Sequence, residues 1–213
     1  MDQAVTQKTL KGPQFLIYDQ AFLETLGPNP KIDLVLEKDW PFAHEAGVYI
    51  PSQDAVYFTS SYYLPKGASE KTITISKITR KQNGWKCEEV PTAVSMANGA
   101  VNHTDRSQIL FCEQGSLTEP GGLTLMETTA PYKTKTLIQG YHGRLFNSVN
   151  DVVYHTDGSI WFTDPTQVTL KKEMQCAMLT LQSDTASSKT SARSHSFPSK
   201  SIASSLRRAI SEW

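Results

Sequence analysis

Three short segments of the 213-residue chain are each led by a side chain that offers oxygen. Glu45 leads HEAGVYIPSQDAVYFTS (44–60), Asn98 leads ANGAVNHTDRSQILFCEQ (97–114) and Asn150 leads VNDVVYHTDGSIWFTDP (149–165). After each leader comes a short apolar run, a turn containing Asp, and a second apolar run ending in an aromatic plus Thr or Cys. The leaders stand 53 and 52 residues apart. Asp151 follows Asn150 directly and adds a second carboxylate. Carboxylate and amide oxygens of this kind can hydrogen-bond a polar ligand or meet a hard cation. Neither chemistry works unless residues some fifty positions apart are brought together.

The elements around these segments indicate how that happens. Gly and Pro punctuate apolar runs rich in Val, Ile, Tyr, Phe and Thr, which is the pattern of an all-β protein. Further strand candidates, KTITISKITR and GWKCEEVPT, follow the first segment; GGLTLMETT and YKTKTLIQG follow the second. One short helix is expected near QAFLETLG. Four short strands per roughly fifty residues is the unit of a β-propeller blade. A single blade buries neither face, and stacking blades around a channel buries both. Each innermost strand starts at the channel mouth, so Glu45, Asn98 and Asn150 are expected to converge on the axis.

Composition narrows the partners. Lys+Arg and Asp+Glu both number 21, giving a formal net charge of zero. Nucleic acids and anionic membranes recruit an excess of basic charge, so neither is expected as a partner. The first residues carry no apolar signal core, and no run approaches the ~18 apolar residues of a membrane span. The three cysteines, Cys87, Cys112 and Cys176, show no metal spacing. They fit a reducing, cytoplasmic setting, with Cys87 and Cys112 as buried apolar residues. Past Thr166 the pattern changes. Residues 167–213 are Ser-rich and low in complexity, and are expected to form a disordered tail behind a propeller region at 1–166. Within the tail, MQCAMLTLQ reads as a strand or a short helix, and IASSLRRAISEW as a marginal helix.

The three segments resemble the SMP-30/gluconolactonase/LRE family of six-bladed propeller hydrolases, most nearly its fungal lactonase-type members. PFAHEAGVYIP is similar to that family's first-blade Glu motif. ANGAVNHTDRSQILFCEQG resembles its N-G-L strand and the L-x-x-C-E-x-G that follows. GRLFNSVNDVVYHTDGSIWFTDP is close to N-S-P-N-D-V-V-x-x-x-D-G-x-x-W-F-T-D-P, with Val149 where Pro is usual. The resemblance covers residues 14–166. It implies a divalent cation at the channel floor, commonly Ca²⁺, with Zn²⁺ or Mn²⁺ tolerated. It implies that Glu45 and Asn150 ligate the cation, that Asn150 and Asn98 contact substrate, and that Asp151 orients the site or serves catalysis. The reaction implied is hydrolysis of a small-molecule lactone or related cyclic ester, in sugar or secondary metabolism.

The departures matter as well. The family's remaining ligands, an Asn and an Asp in later blades, have no copy here, so the metal site is incomplete. The chain reads as two full blades and the inner half of a third, truncated from a six-bladed ring. The competing expectation is an inactive homologue that acts only by association through its exposed blade edge. Other polar residues are read as structural: His44, His103 and His155 as satisfied histidines, Asn147 as a turn cap, Asp157-Gly158 as a hairpin turn. Trp161, Phe162, Cys112 and Glu113 are read as blade packing, and Asp164 as a strand end.

Overall fold

A computed structural model of the chain describes residues 8–9, 15–27, 29–116, 118–165, 176–183, 190–195 and 206–207. It is nearly all sheet. The one α-helix among the described residues, Phe22–Leu26, lies where QAFLETLG is expected. Its entry is fixed by Asp19, whose Oδ1 accepts the Ala21 N–H at 2.9 Å. No described helix is long and apolar enough to cross a membrane.

Three antiparallel meanders follow one another along the chain. Blade 1 contains Glu45–Ile50, Ala55–Thr59, Ile75–Lys81 and Gly84–Glu89 in sequential order. Blade 2 contains Ala97–Asn102, Gln108–Glu113, Gly122–Glu127 and Thr134–Ile138. Blade 3 begins with Val152–Tyr154 and Ile160–Pro165. Every strand expected from the apolar runs is present. The chain is a partial β-propeller, and its blades stack inner strand beside inner strand.

The third blade departs from the sequence reading, which ends regular structure at Thr166. Cys176–Ser183 pairs with Ile160–Pro165, Thr190–His195 pairs next, and Leu206–Arg207 forms the edge, making a five-stranded sheet. Outer strands are joined by backbone ladders, which Ser- and Thr-rich segments can supply without an apolar face. Hence CAMLTLQ, the described part of MQCAMLTLQ, is strand, and 206–207 of the expected helix are strand. The rest of the expected tail, 167–175, 184–189, 196–205 and 208–213, lies outside the described residues.

Alternation along the strands decides which blade each side chain meets. One core lies between blades 1 and 2: Val48, Ile50, Ala55, Tyr57 and Ile75 pack against Ala97, Ile109, Phe111 and Met126. The other joins Leu110, Cys112, Leu123 and Leu125 of blade 2 to Val149, Val152 and Phe162 of blade 3. Blade 2 is therefore buried on both faces. Cys112 is fully buried, as expected, whereas Cys87 is only half-buried. Polar ties reinforce the first junction: the Tyr57 hydroxyl donates to the Thr128 carbonyl at 2.8 Å, and Lys77 Nζ lies 2.8 Å from the Tyr132 hydroxyl and 3.0 Å from Glu88.

The first hairpins of blades 2 and 3 carry the same His-Thr-Asp turn. His103 Nδ1 lies 2.9 Å from Asp105 Oδ1, and His155 Nδ1 lies 3.0 Å from Asp157 Oδ1. The Ser107 backbone N–H, with help from His103, pulls the Asp105 carboxyl down to about 2. Hydrogen bonds from Ser159, with help from His155, pull Asp157 to about 2 as well. His103 also meets the Tyr154 ring edge-on at 5.6 Å, joining the two turns across the blade junction. Both carboxyls titrate lower folded than unfolded. They therefore favour the folded state above the ordinary carboxylate range, and that contribution fades as pH falls from about 4 to about 2. Carboxyl titration followed by NMR should give midpoints near 2 for both residues. Midpoints in the ordinary range would mean that the turns do not close in solution.

Candidate functional site

The fold brings the three leaders to one end of three adjacent inner strands. Glu45 is the first residue of its strand and pairs with Thr59. The Thr59 hydroxyl donates to the Asn98 carbonyl of blade 2 at 3.3 Å. The Gly99 N–H in turn donates to the Asn150 carbonyl of blade 3 at 2.8 Å. A continuous path of contacts thus runs Glu45, Thr59, Asn98, Gly99, Asn150. Register agrees with the sequence alignment: Val48 opposes Tyr57 as Val101 opposes Leu110 and Val153 opposes Trp161.

Local backbone aims the leaders. In blades 1 and 2 a β-bulge falls just after the strand begins, between Glu45 and Val48 and between Ala97 and Ala100. Bulges of this kind turn a side chain out of the ladder. Ala46 sits inside the first bulge with a left-handed φ of 56°. Glu45 is half-buried, and its Oε1 lies 3.3 Å from His44 Nε2. Asn98 is only 6% exposed. Asn150 is held by its N–H, which donates to the Thr163 carbonyl at 2.9 Å. Asp151 donates its N–H to the Thr163 hydroxyl at 3.1 Å, and its Oδ1 accepts the Val152 N–H at 2.8 Å.

Gly99 is where the junction is tightest. A Cβ there would lie 2.6 Å from the Asn150 carbonyl oxygen, 2.7 Å from Asp151 Oδ1 and 3.0 Å from Asp151 Cα. Only a residue without a side chain lets the two backbones approach this closely. Gly99→Ala is expected to destabilise the chain by about 1–3 kcal/mol, the usual range for overpacking, and to lower its thermal midpoint. An unchanged midpoint would show that blades 2 and 3 do not touch here.

Two buried carboxylates fix the chain as it enters blades 2 and 3. Glu113 accepts the Ser95 N–H at 2.7 Å and the Thr124 hydroxyl at 2.6 Å. Asp164, at the equivalent place in blade 3, accepts the N–H groups of Asn147 at 2.9 Å and Ser148 at 2.8 Å, and the Asn147 side-chain amide at 3.1 Å. Sequence reasoning left these roles unassigned. Asn147, expected as a turn cap, is instead the residue being bound.

The donors at this end are oxygens. Among the described residues the buried hydroxyl of Ser148 has no hydrogen-bond partner. Burial pushes the Cys112 thiol far above its ordinary range, and the Asp151 and Glu45 carboxylates push it further. Among the described residues no three His, Cys, Asp or Glu side chains gather into a metal-binding group. The set here, one carboxylate with amide oxygens and Asp151 alongside, fits a hard cation rather than a soft one, and fits it incompletely.

The chain is 28% identical over 170 residues to the lactonohydrolase oryL of Aspergillus oryzae, covering 75% of this chain and 36% of that protein. It superposes on the solved structure of a Xanthomonas campestris gluconolactonase with a TM-score of 0.54 at 16% identity, covering 97% of this chain and 74% of that one. The chain is similar in sequence to a lactonohydrolase and in fold to a gluconolactonase. No family model matches it. The chain spans about a third of the length of the curated relative it matches. The structural likeness supports the propeller fold, and the sequence likeness runs to a lactonohydrolase.

Proposed function

We propose that the axial end of the three inner strands is part of a lactone-hydrolysing site. The observation that carries this reading is the shared position of Glu45, Asn98 and Asn150, in a chain similar to a lactonohydrolase. Glu45 and Asn150 would hold a divalent cation, with calcium suited to their oxygens. When bound, such a cation supplies Lewis-acid polarisation of the lactone carbonyl. Asn98 and the second face of the Asn150 amide orient the ring oxygens of the substrate. Asp151, with one oxygen tied to the Val152 N–H, keeps the other for the proton of the attacking water. The C–O bond of the ring breaks, the proton passes to the departing alkoxide, and a hydroxy acid leaves. A sugar-derived or natural-product lactone is the substrate class.

A second reading, association without catalysis, is favoured by the lack of a three-residue acid or histidine group among the described residues. One experiment separates the two. The purified chain is given δ-gluconolactone in a pH-stat with calcium and then with chelator. Turnover that depends on calcium is the expected result; hydrolysis no faster than buffer under either condition supports the non-catalytic reading.

A further inference from the structure

The connection between the second and third strands of a blade opens at the end where the leaders lie. In blade 2 it takes eight residues, 114–121, and the Ser116 N–H closes it on the Glu119 carbonyl at 2.8 Å. In blade 1 it takes fifteen, 60–74. The extra length is built, not slack. Tyr63 and Thr72 exchange backbone hydrogen bonds at 3.1 and 2.8 Å. The Ser61 N–H donates to the Pro41 carbonyl at 2.9 Å, and the Ala68 N–H closes a turn on the Pro65 carbonyl at 3.0 Å. The Tyr63 hydroxyl meets the Thr74 hydroxyl at 2.8 Å, and the Tyr63 ring packs on Trp40 at 4.8 Å. Residues 60–74 are thus a hairpin that carries blade 1 past Glu45 and its partner Thr59. Side chains alternate along an extended segment, so Tyr62 and Leu64 share the face opposite Tyr63 and Trp40. Among the described residues Tyr62 is 53% exposed and Leu64 55%. Lys71 Nζ stands 5.0 Å from the Tyr62 ring centroid and steadies the ring. Tyr62 lies three residues past Thr59, which keeps their Cα atoms within about 11 Å of each other.

We propose that this hairpin is the substrate-selecting wall of the site, and that Tyr62 and Leu64 hold the apolar arm of an alkyl-substituted lactone. The inference rests on the hydrolytic reading of the strand leaders and narrows its substrate class. A lactone bearing only hydroxyls would leave both side chains wet. An alkyl arm rising from the ring toward the hairpin covers them, and the apolar surface that leaves water drives the contact. Tyr62 suits the task, because a ring steadied by Lys71 loses little freedom when an arm lies on it. The arm is remote from the reacting carbonyl, so its contacts are made equally in the ground and transition states and show in KM.

The test uses the full chain and two lactones of equal ring size. One is δ-gluconolactone, which carries hydroxyls; the other is δ-dodecalactone, which carries a straight alkyl arm. With calcium present, kcat/KM should favour δ-dodecalactone. Tyr62→Ser and Leu64→Ser should each cut that preference at least about tenfold, chiefly through KM. The lactam of the same shape as δ-dodecalactone resists hydrolysis and reports binding alone. Calorimetry should show it binding the wild-type chain at least about tenfold tighter than either variant. Both side chains are about half exposed, so the thermal midpoints of the variants should match the wild type. A preference that the substitutions leave intact, or lactam binding that they leave unchanged, would overturn the wall and leave the hydrolytic reading standing. Turnover of neither lactone, with lactam binding still lost in the variants, would overturn the hydrolytic reading and keep the hairpin as the surface that holds the arm.

Discussion

Asp164→Ala is expected to lower stability by about 2–6 kcal/mol, the cost of leaving two buried backbone N–H groups without an acceptor. Asp164 is 5% exposed and accepts three N–H groups, two of them backbone. Alanine would leave the Asn147 and Ser148 N–H groups in a buried setting with no acceptor, each costing about 1–3 kcal/mol. Asp164→Asn keeps one acceptor oxygen and should lose roughly half as much. Urea unfolding at constant slope gives the comparison directly. A shift below about 1 kcal/mol for alanine would mean that the entry to blade 3 is held by something other than this carboxylate. The same substitution at Glu113 should act in the same direction, through Ser95 and Thr124.

Glu45→Gln should abolish the response to calcium. A ligand that binds only the folded chain stabilises it by about 2.7 kcal/mol at a hundred times its dissociation constant. The wild-type melting midpoint is therefore expected to rise with calcium, and the variant's to stay flat. Gln keeps the size of Glu and one oxygen, so it removes charge with little change in packing. Lactone turnover should fall by about 10²-fold or more, as when a group stabilising developing charge is lost. Equal calcium shifts in both proteins would exclude Glu45 as a ligand.

What could be read beforehand depended on period and spacing. Strand existence was legible because alternating apolar runs and Asp-containing turns are local signals. The spacings of 53 and 52 gave blade equivalence before any coordinate was known, and the register of Val48, Val101 and Val153 repeats it. The carboxylate clamps were not legible. Asp164 looks like a strand end until the fold brings Asn147 and Ser148 to it across 17 and 16 residues. Gly99 was equally silent, because its need for a missing side chain comes from Asn150 and Asp151 of another blade. Thr190–His195 reads as tail, and Cys176–Ser183 reads only as a strand or short helix within it, because outer strands pair by backbone, and backbone pairing leaves little mark on side-chain pattern. Legibility was best at the strand leaders, where position in the repeat alone sets the direction of a side chain.

Among the described residues each sheet is a meander of consecutive strands, with no segment borrowed from a distant part of the chain. During synthesis blade 1 can therefore complete its hairpins before blade 3 leaves the ribosome. Until blade 2 arrives, however, the face bearing Ile50 and Tyr57 stays wet. Nascent chains paused between the first and second repeats should be those most readily captured by chaperones.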